Sequence, residues 1–140
     1  MKHIVETDWR KKMQFETEIG HHTIIVDAEV NVGGENKGPA PKPLMLSALS
    51  GCTGMDVASL LKKMRAEVED FTIKVEAELT DEHPKFYKKV HVEYIFYAKE
   101  FKKDKIEKSV DLSVNRYCGV YEMFRQFAEV THHITYVTLE

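Results

Sequence analysis

Apolar residues follow three rhythms along this chain, and each predicts a different kind of element. Between Lys11 and Val32 they alternate. Met13, Phe15, Thr17 and Ile19 share one face, Gly20 opens a turn, and His22 to Val32 alternates again. That pattern predicts a β-hairpin with Gly20–His21 near its tip. Trp9 is expected to anchor the first strand. A period of two returns in Phe71–Leu79, with Phe71, Ile73, Val75, Ala77 and Leu79 inward. It returns again in Val90–Ala98, with Val90, Val92, Tyr94, Phe96 and Ala98 inward. Half-buried strands of this kind belong to antiparallel sheets with one wet face. His132 to Leu139 closes the chain as a strand.

Two other stretches are helical. Lys102–Tyr117 places Ile106, Val110, Ser113, Val114 and Tyr117 at spacings of three and four. Cys118-Gly119 interrupts it, and a second helix runs to about Glu129 with Tyr121, Phe124, Phe127 and Ala128 inward. From Leu44 to Leu61, by contrast, apolar residues cover nearly every face, which predicts a helix buried on all sides. Alternating Pro39, Pro41 and Pro43 give it an extended approach, and Pro43 suits a first helical turn. The order is β-β-α-β-β-α-α-β. The fold class is α+β, antiparallel sheets around a long buried central helix, in a single domain over residues 1–140.

Composition narrows the function classes. A net charge of −3 without a basic run gives no footprint for nucleic acid. The central helix approaches the length of a membrane span, but Asp56, several Ser and Thr residues and two glycines interrupt it, so it is expected in a soluble core. The first residues lack the apolar run of a signal peptide, so the expected compartment is the cytoplasm. The loop from Gly33 to Pro39 has no strand-then-helix glycine spacing and is assigned no phosphate role.

The candidate chemistry lies in the two cysteines. Cys52 sits in the central helix between Gly51 and Gly54, which would let another backbone or a substrate approach the sulfur. Cys118 sits at a helix start, where the dipole favours thiolate. Cys52 lies mid-helix in apolar surroundings, which raise a thiol pKa, and Asp56 one turn on would raise it further. A thiolate attacking a peroxide becomes a sulfenic acid, and a second thiol condenses with it to a disulfide. That requires the two residues to approach each other in one pocket, on the same or the partner chain. The ordinary alternative is that both are small buried hydrophobes.

Gly38-Pro-Ala-Pro, followed by Leu46-Ser-Ala-Leu-Ser-Gly-Cys-Thr-Gly-Met-Asp-Val, resembles the signature of the OsmC/Ohr family, especially its OsmC-like branch. Arg116-Tyr-Cys-Gly-Val resembles that family's second cysteine motif. The resemblance implies an intertwined homodimer that reduces organic hydroperoxides. Cys52 would be the peroxidatic and Cys118 the resolving cysteine, with an external dithiol as reductant. The family's activating Glu and Arg have no counterparts: the matching segments read Pro41-Lys42-Pro43-Leu44 and Gly20-His21-His22-Thr23, and Arg10 lies earlier. His21 or His22 could take the cationic role toward Cys52. As solvated strand ends, however, His21-His22 and His132-His133 need no function. No CxxC, HxH or HExxH spacing occurs, so no metal and no cofactor are expected. The alternative to a peroxidase is a family member that binds a small apolar ligand in a cleft beside Cys52.

Overall fold

The computed structural model describes all 140 residues and divides into two compact units, residues 1–45 and 46–140. In the first, β1 (Glu6–Trp9), β2 (Phe15–Ile19) and β3 (His22–Val26) form an antiparallel meander. The expected hairpin is β2–β3: Ile19 pairs with His22, which leaves Gly20–His21 as the two-residue loop. Gly20 takes φ 61°, the sign that a tight hairpin needs at its first turn position. The expected strand to Val32 ends at Val26, because Val30–Val32 coils into a 3-10 turn. Asp27 explains the break. Its buried carboxylate accepts the N–H groups of Ala28, Glu35 and Lys37 at 2.7, 3.3 and 3.1 Å, folding the glycine loop back over itself. A Cβ on Gly34 would lie 1.9 Å from the Ala28 carbonyl oxygen, so only glycine fits there.

The long helix α1 (Pro41–Lys63) starts earlier than its apolar run, because Pro41 and Pro43 both fall in the first turn, where no N–H is needed. The helix stops before Arg65, which takes φ 55° while Ala66 N–H bonds the Leu61 carbonyl. This is the left-handed stop usually given to glycine. Lys102 and Lys105 Nζ cap the Arg65 and Met64 carbonyls at 2.7 and 3.0 Å. The expectation of burial on all sides is corrected. Only the stripe Leu49, Thr53, Val57 and Leu61 is buried, while Met55 is 77% exposed. A single stripe at a spacing of four is all that a helix lying on one sheet can bury.

The second unit is built on the sheet β4 (Asp70–Leu79), β5 (Tyr87–Ala98) and β6 (Glu129–Thr138), with β5 central. β4 and β5 pair antiparallel, as expected, but β6 runs parallel to β5, so this sheet is mixed. The reason is the crossover of α2 (Lys103–Leu112), a π-helical turn (Ser113–Tyr117) and α3 (Gly119–Arg125), which returns the chain to the end where β5 began. Val90, Val92, Tyr94, Phe96 and Ala98 of β5 form the centre of the core, with Ile106 and Val110 of α2 and Tyr121 and Phe124 of α3.

Candidate active site

Cys52 is half-buried on α1, and its neighbours on the helix make the site's framework. Thr53, fully buried, places its hydroxyl 2.8 Å from Tyr94 OH and 2.7 Å from Ser113 Oγ. Ser113 in turn donates to Asp56 Oδ2 at 2.9 Å. The order that leaves no hydroxyl unsatisfied runs Tyr94 to Thr53 to Ser113 to Asp56, ending on the carboxylate. Three strongly buried groups and one charge therefore tie α1 to β5 and to the start of the π turn.

Ser113 is also the backbone partner of Cys118, whose N–H reaches the Ser113 carbonyl at 2.8 Å, five residues back. This wide turn adds a residue to the helical phase. Tyr117, expected inward, is 53% exposed, and Cys118 turns in to 4%. Cys118 then caps α3, its sulfur accepting the Tyr121 N–H at 3.3 Å.

Cys52 and Cys118 lie near enough to act on each other, since Cys52 is among the groups that shift the Cys118 thiol. Burial first, then the neighbouring Cys52, push the Cys118 thiol up to about 12, and the Asp56 charge adds to the shift. The Tyr121 N–H pulls the other way and is outweighed. The expected benefit of a helix start is thus corrected: loss of water around the sulfur exceeds what one cap donor returns. Cys118 keeps its proton, and Cys52 is the sulfur of the pair more open to solvent.

Beyond Cys118 lies a cleft of about 220 Å³, lined in part by Asn115, Arg116, Cys118, Gly119, Glu122 and Arg125. Arg125 is held on several sides. Its Nη2 donates to Asn115 Oδ1 at 2.9 Å, its Nη1 lies 3.5 Å from Glu122, and its guanidinium lies 4.7 Å over the Tyr121 ring. Asn115 is fixed by Asp111 at 2.8 Å. Arg116 lies 5.6 Å from the Tyr117 ring and has no carboxylate within ion-pair reach.

Of the sequence candidates, the structure brings Cys52 and Cys118 together. His21 and His22 lie in the first unit, exposed at the β2–β3 tip, and Arg10 of that unit pairs with Glu16 at 3.0 Å. His132 reaches Tyr121 OH at 3.3 Å, and burial holds its pKa below the usual value. His133 lies on the other face of β6, bonded to His91 at 2.6 Å and Glu93 at 3.1 Å. Sequence reasoning missed Ser113 and Thr53 as a framework, and it missed Arg125. The signal for Arg125 was its spacing, two helical turns beyond Cys118.

Residues 34–133 match the family described as OsmC-like protein. Protein YhfA of Escherichia coli (strain K12) is 32% identical over 111 residues, which cover 79% of this chain and 80% of YhfA. A hypothetical protein from Aquifex aeolicus VF5 shares the fold at a TM-score of 0.81, with 27% identity over 98% of both chains. The organic hydroperoxide resistance protein OhrB of Bacillus subtilis matches at a TM-score of 0.65 and 14% identity, over 96% of this chain and 98% of that one. This last likeness is one of fold.

Proposed function

The chain belongs to the OsmC/Ohr family, which includes organic hydroperoxide resistance proteins, and from that premise we propose that it reduces organic hydroperoxides through Cys52 and Cys118. The single observation that carries the reading is that Cys52 packs against the core cluster that holds Cys118, near enough to shift its thiol. Two neighbouring thiols can cross-link where the fold or local motion brings their Cα atoms within about 7 Å.

The chemistry follows in three steps. Cys52 thiolate attacks a peroxide oxygen; the O–O bond breaks, the alcohol leaves with a proton, and Cys52 becomes a sulfenic acid. The Cys118 sulfur then attacks the sulfenic sulfur, giving a disulfide and water. An external dithiol returns both cysteines to thiols and leaves as its own disulfide. Holding Cys118 protonated suits this order, because a resolving thiol that stays neutral does not repel the Cys52 thiolate.

The working form is proposed as a cytoplasmic homodimer. What supports it is the exposed side of α1, where Ala48, Met55 and Ala58 face outward on a helix otherwise apolar. Turnover is proposed to be slower than in relatives that carry the family's Arg and Glu, whose places here hold Gly20-His21-His22 and Pro41-Lys42-Pro43. A second reading, an apolar-ligand binder with an idle thiol pair, is favoured by one observation: the Asp56 carboxylate raises the Cys118 thiol, and no cation is among the groups that shift it.

Consumption of cumene hydroperoxide with dithiothreitol separates the two. The peroxidase reading expects turnover in the wild type, none in Cys52→Ser, and a trapped sulfenic acid on Cys52 in Cys118→Ser. Equal background rates in all three proteins would leave the binder.

A further inference from the structure

The cleft beyond Cys118 is not needed for attack on a peroxide by Cys52, which is not among the residues that line it. Cys118, by contrast, is one of its lining residues, and two guanidinium groups line it within seven residues of Cys118, Arg116 before and Arg125 after. Their surroundings differ. Arg125 is spoken for by Glu122 and Asn115, and behind Asn115 by Asp111. Arg116 stacks near Tyr117 and has no acidic partner, so the cleft keeps an uncompensated positive charge beside a buried sulfur.

We infer that this cleft admits the reductant, that it takes a thiol bearing a carboxylate, and that Arg116, with Arg125 beside it, selects that thiol by its negative charge. The inference rests on the thiol-pair reading above. A guanidinium fork recognises a carboxylate through paired N–H groups, and it also draws in the thiolate form that does the attacking.

The exchange balances as follows. The incoming thiolate attacks the Cys118 sulfur of the Cys52–Cys118 disulfide; a new S–S bond forms, the old one breaks, and Cys52 leaves as thiolate. A second thiol, of the same reductant or another molecule of it, attacks the reductant's sulfur in that mixed disulfide. Cys118 leaves and takes a proton, and the reductant departs as its own disulfide.

The test starts from the full-length protein with its disulfide formed by diamide, so it does not depend on peroxide chemistry. Reduction by mercaptoacetate, 2-mercaptoethanol and cysteamine is timed by mass spectrometry, with each rate divided by thiolate concentration. Expected is mercaptoacetate faster than 2-mercaptoethanol by about fivefold, the effect of one partly exposed ion pair, and cysteamine slowest. Arg116→Glu should invert the order, and the acid-quenched mixed disulfide should map to Cys118. The same rank order in wild type and Arg116→Glu, a mixed disulfide on Cys52, or no disulfide with diamide would each overturn the inference. If hydroperoxide fails to oxidise the pair while the charge preference holds, the peroxidase reading falls and this one stands.

Discussion

Replacing Ser113 with alanine is the sharpest probe of how the thiol pair is held. The Ser113 hydroxyl is fully buried and makes two side-chain links to α1, one to the charged Asp56 at 2.9 Å and one to Thr53 at 2.7 Å. A buried hydrogen bond to a charged acceptor contributes about 1.5–3 kcal/mol and a neutral one about 1 kcal/mol. Thr53 keeps Tyr94 as a partner, and half-buried Asp56 can recruit water, so the two losses do not sum in full. The expected cost is about 2 kcal/mol. Urea unfolding at one fixed protein concentration measures it, because assembly would otherwise shift the midpoint. Thr53→Val supplies the second arm of a double-mutant cycle, with an expected coupling of about 1 kcal/mol. Ser109→Ala is the internal control. Ser109 is equally buried, but its hydroxyl bonds only within α2 to the Lys105 carbonyl at 2.9 Å and weakly to the Met64 sulfur, so its loss should cost under about 0.5 kcal/mol. If Ser113→Ala and Ser109→Ala cost the same, or Ser113 and Thr53 show no coupling, the clasp is not what holds α1 to the π turn.

Three further outcomes are expected. Cys118, pushed up by burial from an ordinary 9.0 to about 12, contributes stability that is complete below about pH 9 and lost as pH rises toward 12, so Cys118→Ala should flatten the alkaline limb of a stability profile; in the native protein iodoacetamide should label Cys52 well before Cys118, an order that disappears in urea. Asp27, held below the usual carboxylate range chiefly by the Ala28 and Lys37 N–H groups, contributes stability present above pH 3.8 and lost as pH falls through its native value; Asp27→Asn should remove that acid dependence and speed amide exchange at Glu35 and Lys37. Gly51→Ala meets nothing within 4 Å in one chain and should stabilise α1 by up to about 1 kcal/mol; a loss of stability with a changed mass in light scattering would mean that another chain occupies that face.

Strand existence was readable wherever one face is dry. β4 alternates from Asp70 to Glu78 and β5 from Val90 to Ala98, the inward residues meeting the core; Leu79, expected inward, is exposed where a bulge shifts the register at Glu78/Leu79. The directions of the strands were not readable, since alternation is the same in parallel and antiparallel pairs, and β6 became parallel through its crossover. β1 was hidden because its four residues, Glu6 to Trp9, are all exposed and carry no period. The end of β3 was set by Asp27, whose three backbone partners lie up to ten residues away, beyond any local pattern. For α1 the all-round apolar pattern was real, but burial depends on what lies opposite each face, and within one chain only one stripe has a partner.

The cysteine pair was legible as a motif; the way the fold joins it was not, and the reason is a matter of phase. An α-helix turns about 100° per residue. Carried on unbroken from Ser113, it would keep Tyr117 on the face shared by Val110, Ser113 and Val114, as the spacing suggested. The π turn inserts one residue into the ring of bonds, so the N–H of residue 118 closes on the carbonyl of residue 113. That one-residue slip exposes Tyr117 and delivers the next side chain, the thiol, to the interior. Nothing in Ser-Val-Asn-Arg-Tyr taken alone asks for a wide turn. The Ser113 clasp on Thr53 and Asp56 fixes where the turn begins, and the Cys118 cap on α3 fixes where it ends. Because the clasp lies beside Cys52 and the cap is Cys118 itself, the same few bonds that stabilise the irregular turn also make the two cysteines neighbours.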